Sequence, residues 1–178
     1  MALKATIFKA RVQIADMDRD YYAEHLLTLA RHPSETDERM MIRLLAFAHN
    51  ASEQLEFTRG LSSDEEADLW QHTLSGEIET WIEVGLPAED RIRKACGRAR
   101  KVLVYAYGQR SASVWWQKME SASARFDNLD IFYLPADSCA QLAAMAERTM
   151  DLSVTIQDGH LWFASSDNNI EVLPERWK

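Results

Sequence analysis

Four carboxylates crowd one short stretch, "DLWQHTLSGEIETWIEVG", which runs from Asp68 to Gly85. Strand alternation in "GEIETWIEVG" puts Glu77, Glu79 and Glu83 on one side, where stacked like charges are destabilising unless something positive lies between them. A hairpin of "DLWQ" and "GEIETWIEVG", closed by "HTLS", sets Gln71 against Gly76 and therefore Asp68 against Glu79. Two resolutions follow. In one, the face is wet and neutralised by arginines of a neighbouring element. In the other it holds Mg²⁺ or Mn²⁺, which take one or two carboxylates and keep water in the remaining positions. Asp68 and Glu79 are then the metal ligands, and Glu77 or Glu38 completes the shell. A one-residue slip would exchange the sides, so the pattern leaves open which of Glu77 and Glu79 faces inward.

The cations that such chemistry requires lie just downstream. "RIRKACGRARK", Arg91 to Lys101, holds six cations and no acid. Lys94 is placed to orient an attacking water or to stabilise charge on phosphorus. Arg91, Arg93, Lys94 and Arg98 offer a phosphate track on one helix, although a solvated helix face looks the same in sequence. Together these residues point to metal-dependent in-line displacement at a nucleic-acid phosphodiester. The competing reading is a non-catalytic binding or regulatory protein. It would touch nucleic acid or a protein partner in transcription through the basic helix and the aromatic pair Trp115 and Trp116.

Strands and helices must bring these groups together. "ATIFKARVQI", Ala5–Ile14, alternates as a strand with one wet face, and "YYAEHLLTLARH" reads as its antiparallel neighbour. "HPSETDERMMIRLLAFAHNAS" predicts a helix with Ser34 as N-cap, Asp37 at the capping-box position and Met41, Leu44, Leu45 and Ala48 inward. Glu38 falls on or beside that buried stripe. "QLEFTRG" is a short strand, and "LSSDEEAD" is an acidic loop. Pro87 opens the basic helix, which leads into the apolar strand "KVLVYAYG". "SASVWWQKM" suits either a strand or a helix. "RFDNLDIFYLP" holds a strand, "DSCAQLAAMAERT" a helix capped by Asp137 or Ser138, and "LSVTIQDGHLWFA" a hairpin turned at Asp158–Gly159.

The whole chain sets the bounds. A length of 178 residues fits one domain, and 47% hydrophobic with 27% charged residues is ordinary globular composition. A formal charge of -8 repels polyanions overall, so nucleic-acid binding would need a local patch. Cys96 and Cys139 lack CxxC spacing and read as reduced thiols, and the five histidines form no HxH or HxxxH pair. No apolar run reaches a membrane span and the start lacks a secretory h-region, so a cytoplasmic, soluble monomer is expected.

The order helix, strand, acidic hairpin, basic helix, buried strand resembles the αβββαβ core of the PD-(D/E)XK nuclease-like fold. In that fold an Asp and a second acid hold metal and a Lys activates water. Asp68 matches the first acid, with Ala67 where the motif has Pro. Glu79 matches the second, with Trp81 where its Lys should stand; with Glu77 as the second acid, Glu79 itself takes the Lys position. The residues "IADMDRDYYAEHLLTLARHPSETDERMMIRLLAFA", "LSSDEEADLW", "GEIETWIEVGLP", "RIRKACGRA", "VYAYG" and "VWW" are similar to those of the YaeQ family along essentially the whole chain. The resemblance implies an α/β, restriction-endonuclease-like core over about residues 34–135, within one domain of residues 1–178. An N-terminal β-hairpin precedes the core and a C-terminal hairpin extends it. Mg (or Mn) is the implied cofactor.

Overall fold

The computed structural model describes residues 4–59 and 65–178. Within them the chain forms strands and helices in the order β1 (Thr6–Asp16), β2 (Tyr21–Arg31), α1 (Asp37–His49), β3 (Leu55–Phe57), β4 (Leu69–His72), β5 (Ile78–Val84), α2 (Glu89–Arg98) and β6 (Ala99–Ala106). There follow α3 (Gln109–Ser123), β7 (Leu129–Tyr133), α4 (Ala136–Ala144), β8 (Thr149–Gln157), β9 (His160–Ala164), β10 (Asn169–Val172) and β11 (Glu175–Arg176). This is a mixed α/β protein with two mixed sheets. Its contacts group into two compact units, residues 1–50 with 137–174, and residues 51–136 with 175–178. The segment 34–135 is shared between them, with α1 in the first unit and β3 through β7 in the second.

The first unit is a five-stranded sheet in the order β10-β9-β8-β1-β2, with β1 parallel to β8 and the other pairs antiparallel. The alternation of β1 is realised as expected: Phe8, Ala10, Val12 and Ile14 are buried while Lys9, Arg11 and Gln13 are exposed. The strand reading of "YYAEHLLTLARH" holds in β2, and Asp158–Gly159 turns the β8–β9 hairpin with positive φ at both residues, as a type I′ turn requires.

Two details of α1 differ from expectation. Its N-cap is Thr36, whose side chain accepts from Arg39 N (3.1 Å), while Ser34 is tied to the ring of His32 (2.7 Å). The helix is also buried on every side from Met40 to Ala48, Arg43 included. Arg43 survives there because its guanidinium donates to Glu35 Oε1 (2.5 Å) and Ala30 O (3.2 Å), and Arg39 takes the other oxygen of Glu35 (2.8 Å). Asp137 and Ser138 lie inside α4 rather than capping it.

The second unit carries the acidic hairpin. Its six strands run β11-β7-β6-β5-β4-β3, with β5, β6 and β7 parallel in the middle and antiparallel strands at both edges. The crossovers β5-α2-β6 and β6-α3-β7 bring both helices against Trp81, Val102, Val104, Leu129 and Ile131 through Ile92, Ala95 and Met119. The alternate residues Ile82, Leu103 and Tyr105 are buried as well, as central parallel strands require. "SASVWWQKM", ambiguous in sequence, is helical within α3, and α2 begins at Glu89, two residues beyond Pro87.

Candidate functional site

The hairpin of β4 and β5 has a different register from the one that sequence suggests. Gln71 pairs with Thr80 instead of Gly76, a displacement of four residues. Two local features produce it. His72 pairs with Ile78, so the connection is Thr73–Glu77 and not His72–Ser75, which accounts for three of the four: Gly76, at φ +90°, donates to Thr73 O (3.0 Å), and Thr73 Oγ1 accepts from Glu77 N (3.1 Å). A bulge between Gln71 and His72 supplies the remaining residue of offset.

The expected Asp68–Glu79 metal pair is therefore not formed. Asp68 lies against the far end of β5: its N–H donates to Ile82 O (3.0 Å) and its Oδ2 accepts from Val84 N (2.7 Å). The preceding segment is fastened by Thr58, whose Oγ1 donates to Ala67 O and whose N–H donates to Asp68 O (3.2 Å). The acid that shares its environment is Glu83. Both are buried, 3% exposed for Asp68 and 4% for Glu83. Trp81 Nε1 (2.7 Å) and Arg91 Nε (2.8 Å) both donate to Glu83 Oε1, leaving Oε2 outside those two bonds. Arg91 Nη2 also donates to Glu66 O (2.7 Å), tying the first turn of α2 to the approach to β4. Burial raises the Glu83 carboxyl above its ordinary pKa, and the Asp68 charge adds to this; the Arg91 and Trp81 bonds oppose it without cancelling it.

Glu77 and Glu79 take the other resolution offered by the sequence. Arg100 of β6 pairs with Glu77 and with Glu79 (3.3 Å), and all three side chains stand at least two-fifths exposed. Parallel pairing of β5 with β6 causes this, because Ile78 lies beside Ala99 and Thr80 beside Lys101, which brings Arg100 between them to the acids. Lys94 is not at the buried acids either. Its Nζ donates to Glu65 Oε1 (2.5 Å), and that contact holds the Glu65 carboxyl below its usual range. Arg91, three residues earlier on α2, is the cation at Glu83. Glu38 is half-buried in the first turn of α1, in the other unit, where its charge adds to the burial that pushes the Cys139 thiol up to about 12. Burial likewise raises Cys96, to about 11, so both thiols stay protonated.

The basic stretch is also neutralised in place. Arg91 pairs with Glu83 (2.8 Å), Arg93 with Asp90 (2.6 Å), Lys94 and Arg98 with Glu65 (2.5 and 3.7 Å), Arg100 with Glu77 and Glu79, and Lys101 with Asp130 (3.8 Å). Arg98 also lies 5.3 Å over the Trp81 ring. Each cation of "RIRKACGRARK" thus meets an acid, and the uncompensated phosphate track expected on α2 is absent.

Sequence reasoning counted Glu83 among the stacked acids but gave it no role, and read Arg91 only as part of the phosphate track. The signal for Glu83 was its position between apolar neighbours in "WIEVG", where both faces of a central strand are buried. Two residues beyond Glu83, Gly85 has a φ of +118°, a conformation that residues with side chains adopt only under strain. The cation that meets Glu83 comes from α2, as Arg91. Among the described residues no group of three acid, histidine or cysteine side chains is arranged to hold a metal.

Comparison with known proteins agrees with this architecture. The family model of the YaeQ protein matches residues 1–174. The chain is 51% identical to YaeQ of Salmonella typhi and 49% identical to YaeQ of Escherichia coli K12, in each case over the whole of this chain and 98% of the relative. The crystal structure of the YaeQ protein from Xanthomonas axonopodis pv. citri superposes with a TM-score of 0.95 at 45% identity, covering 98% of both chains. That of the YaeQ protein from Pseudomonas syringae gives 0.94 at 36% identity, covering 98% of this chain and 96% of that one. On these grounds the chain belongs to the YaeQ family.

Proposed function

We propose that the chain is a divalent-cation-dependent phosphodiester hydrolase on a PD-(D/E)XK-like scaffold, with Asp68 and Glu83, not Asp68 and Glu79, as its acid pair. The observation that carries this reading is the burial of two carboxylates together at the carboxyl end of β5, beside the start of α2. Ligands of α/β proteins gather at that end of the parallel strands. The donor set suits Mg²⁺ or Mn²⁺, since two carboxylates with water in the remaining positions is the usual magnesium pattern. A bound ion would supply positive charge to a phosphoryl oxygen and a more acidic water. The protein's own groups do the positioning: Val84 N fixes the Asp68 carboxylate, while Trp81 Nε1 and Arg91 fix that of Glu83. Arg91 also brings a planar guanidinium suited to bidentate contact with phosphate.

The test is a thermal shift. Mn²⁺ or Mg²⁺ should raise Tm in the wild type and in Glu79→Gln, but not in Asp68→Asn or Glu83→Gln; saturation to 100 times Kd stabilises by about 2.7 kcal/mol. Incubation with single-stranded, duplex and branched nucleic acid then reads turnover. Absence of a shift with both metals would remove the hydrolase reading.

A second reading, a non-catalytic binding or regulatory protein, is favoured by one specific observation. Glu83 already has a cation in Arg91, and the lysine assigned to water activation, Lys94, is engaged by Glu65. A wild-type protein that binds nucleic acid but shows neither a metal shift nor turnover would decide for it.

A further inference from the structure

With the cations of α2 paired to acids, two cations of the second unit that are open to a polyanion lie on α3. Arg110 and Lys118 are both exposed, and neither meets an acid among the described residues. They stand eight residues apart, about 12 Å along the helix and about 80° around it, on one side. Between them lie Val114, 46% exposed, and the half-buried Trp115. These residues and Ser111 line a shallow pocket of about 420 Å³. The indole is fixed from behind. Its Nε1 donates to Pro87 O (2.8 Å), and its ring leans on Trp116 (6.4 Å), which stacks on Trp177 (5.4 Å), itself stacked on Tyr133 (4.6 Å). The first turn of α3 holds no acid, so the positive end of the helix dipole adds to Arg110.

We propose that this face of α3 binds single-stranded nucleic acid, with a base stacked at Trp115 and Val114 and flanking phosphates at Arg110 and Lys118. An immobilised aromatic surface between unpaired cations is the arrangement that grips single strands without reading sequence. An acidic peptide would satisfy the cations and leave the indole without a stacking partner. Trp115 is anchored to the loop that follows Glu83, so a strand held here lies on the element leading out of the acid pair. The surface shares its class of partner with the hydrolase reading but requires neither metal nor turnover.

The test is fluorescence anisotropy of a short labelled single-stranded oligonucleotide with the full chain in EDTA. Binding should weaken about sevenfold between 50 and 200 mM salt, as two phosphate contacts require. Arg110→Glu with Lys118→Glu should abolish it, and Trp115→Ala should weaken it by on the order of tenfold or more. Circular dichroism separates that loss from unfolding, and the exposed charge reversals remain decisive if Trp115→Ala fails to fold. Glu79→Gln, outside the acid pair, should bind as the wild type does. Equal affinity for duplex DNA or for a polyglutamate peptide, loss in Glu79→Gln, or no binding would each overturn the assignment. Binding intact without hydrolysis in Mg²⁺ would overturn only the hydrolase reading.

Discussion

One hairpin presents carboxylates in two environments. Near its turn, Glu77 and Glu79 share the exposed Arg100; at its open end, Asp68 and Glu83 are buried with the partly covered Arg91. Both are acid pairs answered by one arginine, yet their physical meaning differs. Exposed pairs gain little because water screens them and long side chains lose freedom on pairing. Buried charges cannot fall back on water, so removing one partner exposes the full desolvation penalty of the others. The raised Glu83 carboxyl is the sign of that imbalance, and perturbed groups of this kind concentrate at functional sites.

The largest expected effect follows directly. Arg91→Ala strips the buried end of its cation and leaves Glu83 with the Trp81 bond, so it should destabilise by about 3–5 kcal/mol, read from chemical denaturation. The loss should persist in high salt, because screening reaches buried pairs poorly. A loss under about 1 kcal/mol would make Arg91–Glu83 an ordinary surface pair and erase the contrast.

The pH dependence of Glu83 sharpens the comparison at intermediate size. Its folded carboxyl titrates above the ordinary value of 4.5, so the native state binds the proton more tightly than the unfolded chain does. The contribution of Glu83 is thus fully present below the unfolded pKa and lost as pH rises through the folded one. Measured as Tm, the wild type should gain on Glu83→Gln as pH falls toward 4.5. If it loses ground instead, Arg91 outweighs burial and Glu83 is held charged.

Where sequence reading succeeded, a local rule had no competitor. The period of two in "ATIFKARVQI" and the Asp-Gly turn at Asp158–Gly159 each encode a single outcome, and both appear as expected. The acid pair depended on register, which a turn and a bulge shift without altering the alternation that is visible in sequence. Gly76 was the cue: its positive φ closes "TLSG" rather than "HTLS". Whether a cation is spent on a neighbour was equally hidden, because Glu65 and Lys94, or Glu77 and Arg100, meet only once the strands have paired. The segment Leu61–Asp64 of the acidic loop lies outside the described residues.

The smallest effect closes the comparison at its exposed end. Arg100→Ala leaves Glu77 and Glu79 as neighbouring charges on a wet face, and water takes over most of the role of the arginine. The expected loss is below about 1 kcal/mol, which for a chain of this size lowers Tm by no more than roughly 2–4 °C. At 1 M salt, where the screening length falls to about 3 Å, the difference from wild type should vanish, and the response of Tm to Mn²⁺ should be that of the wild type. A larger loss, or one that survives salt, would mean that Glu77 and Glu79 feel a low-dielectric environment despite their exposure. The hairpin would then hold two acid sites of the same kind, and the choice of Glu83 over Glu79 would lose its physical basis.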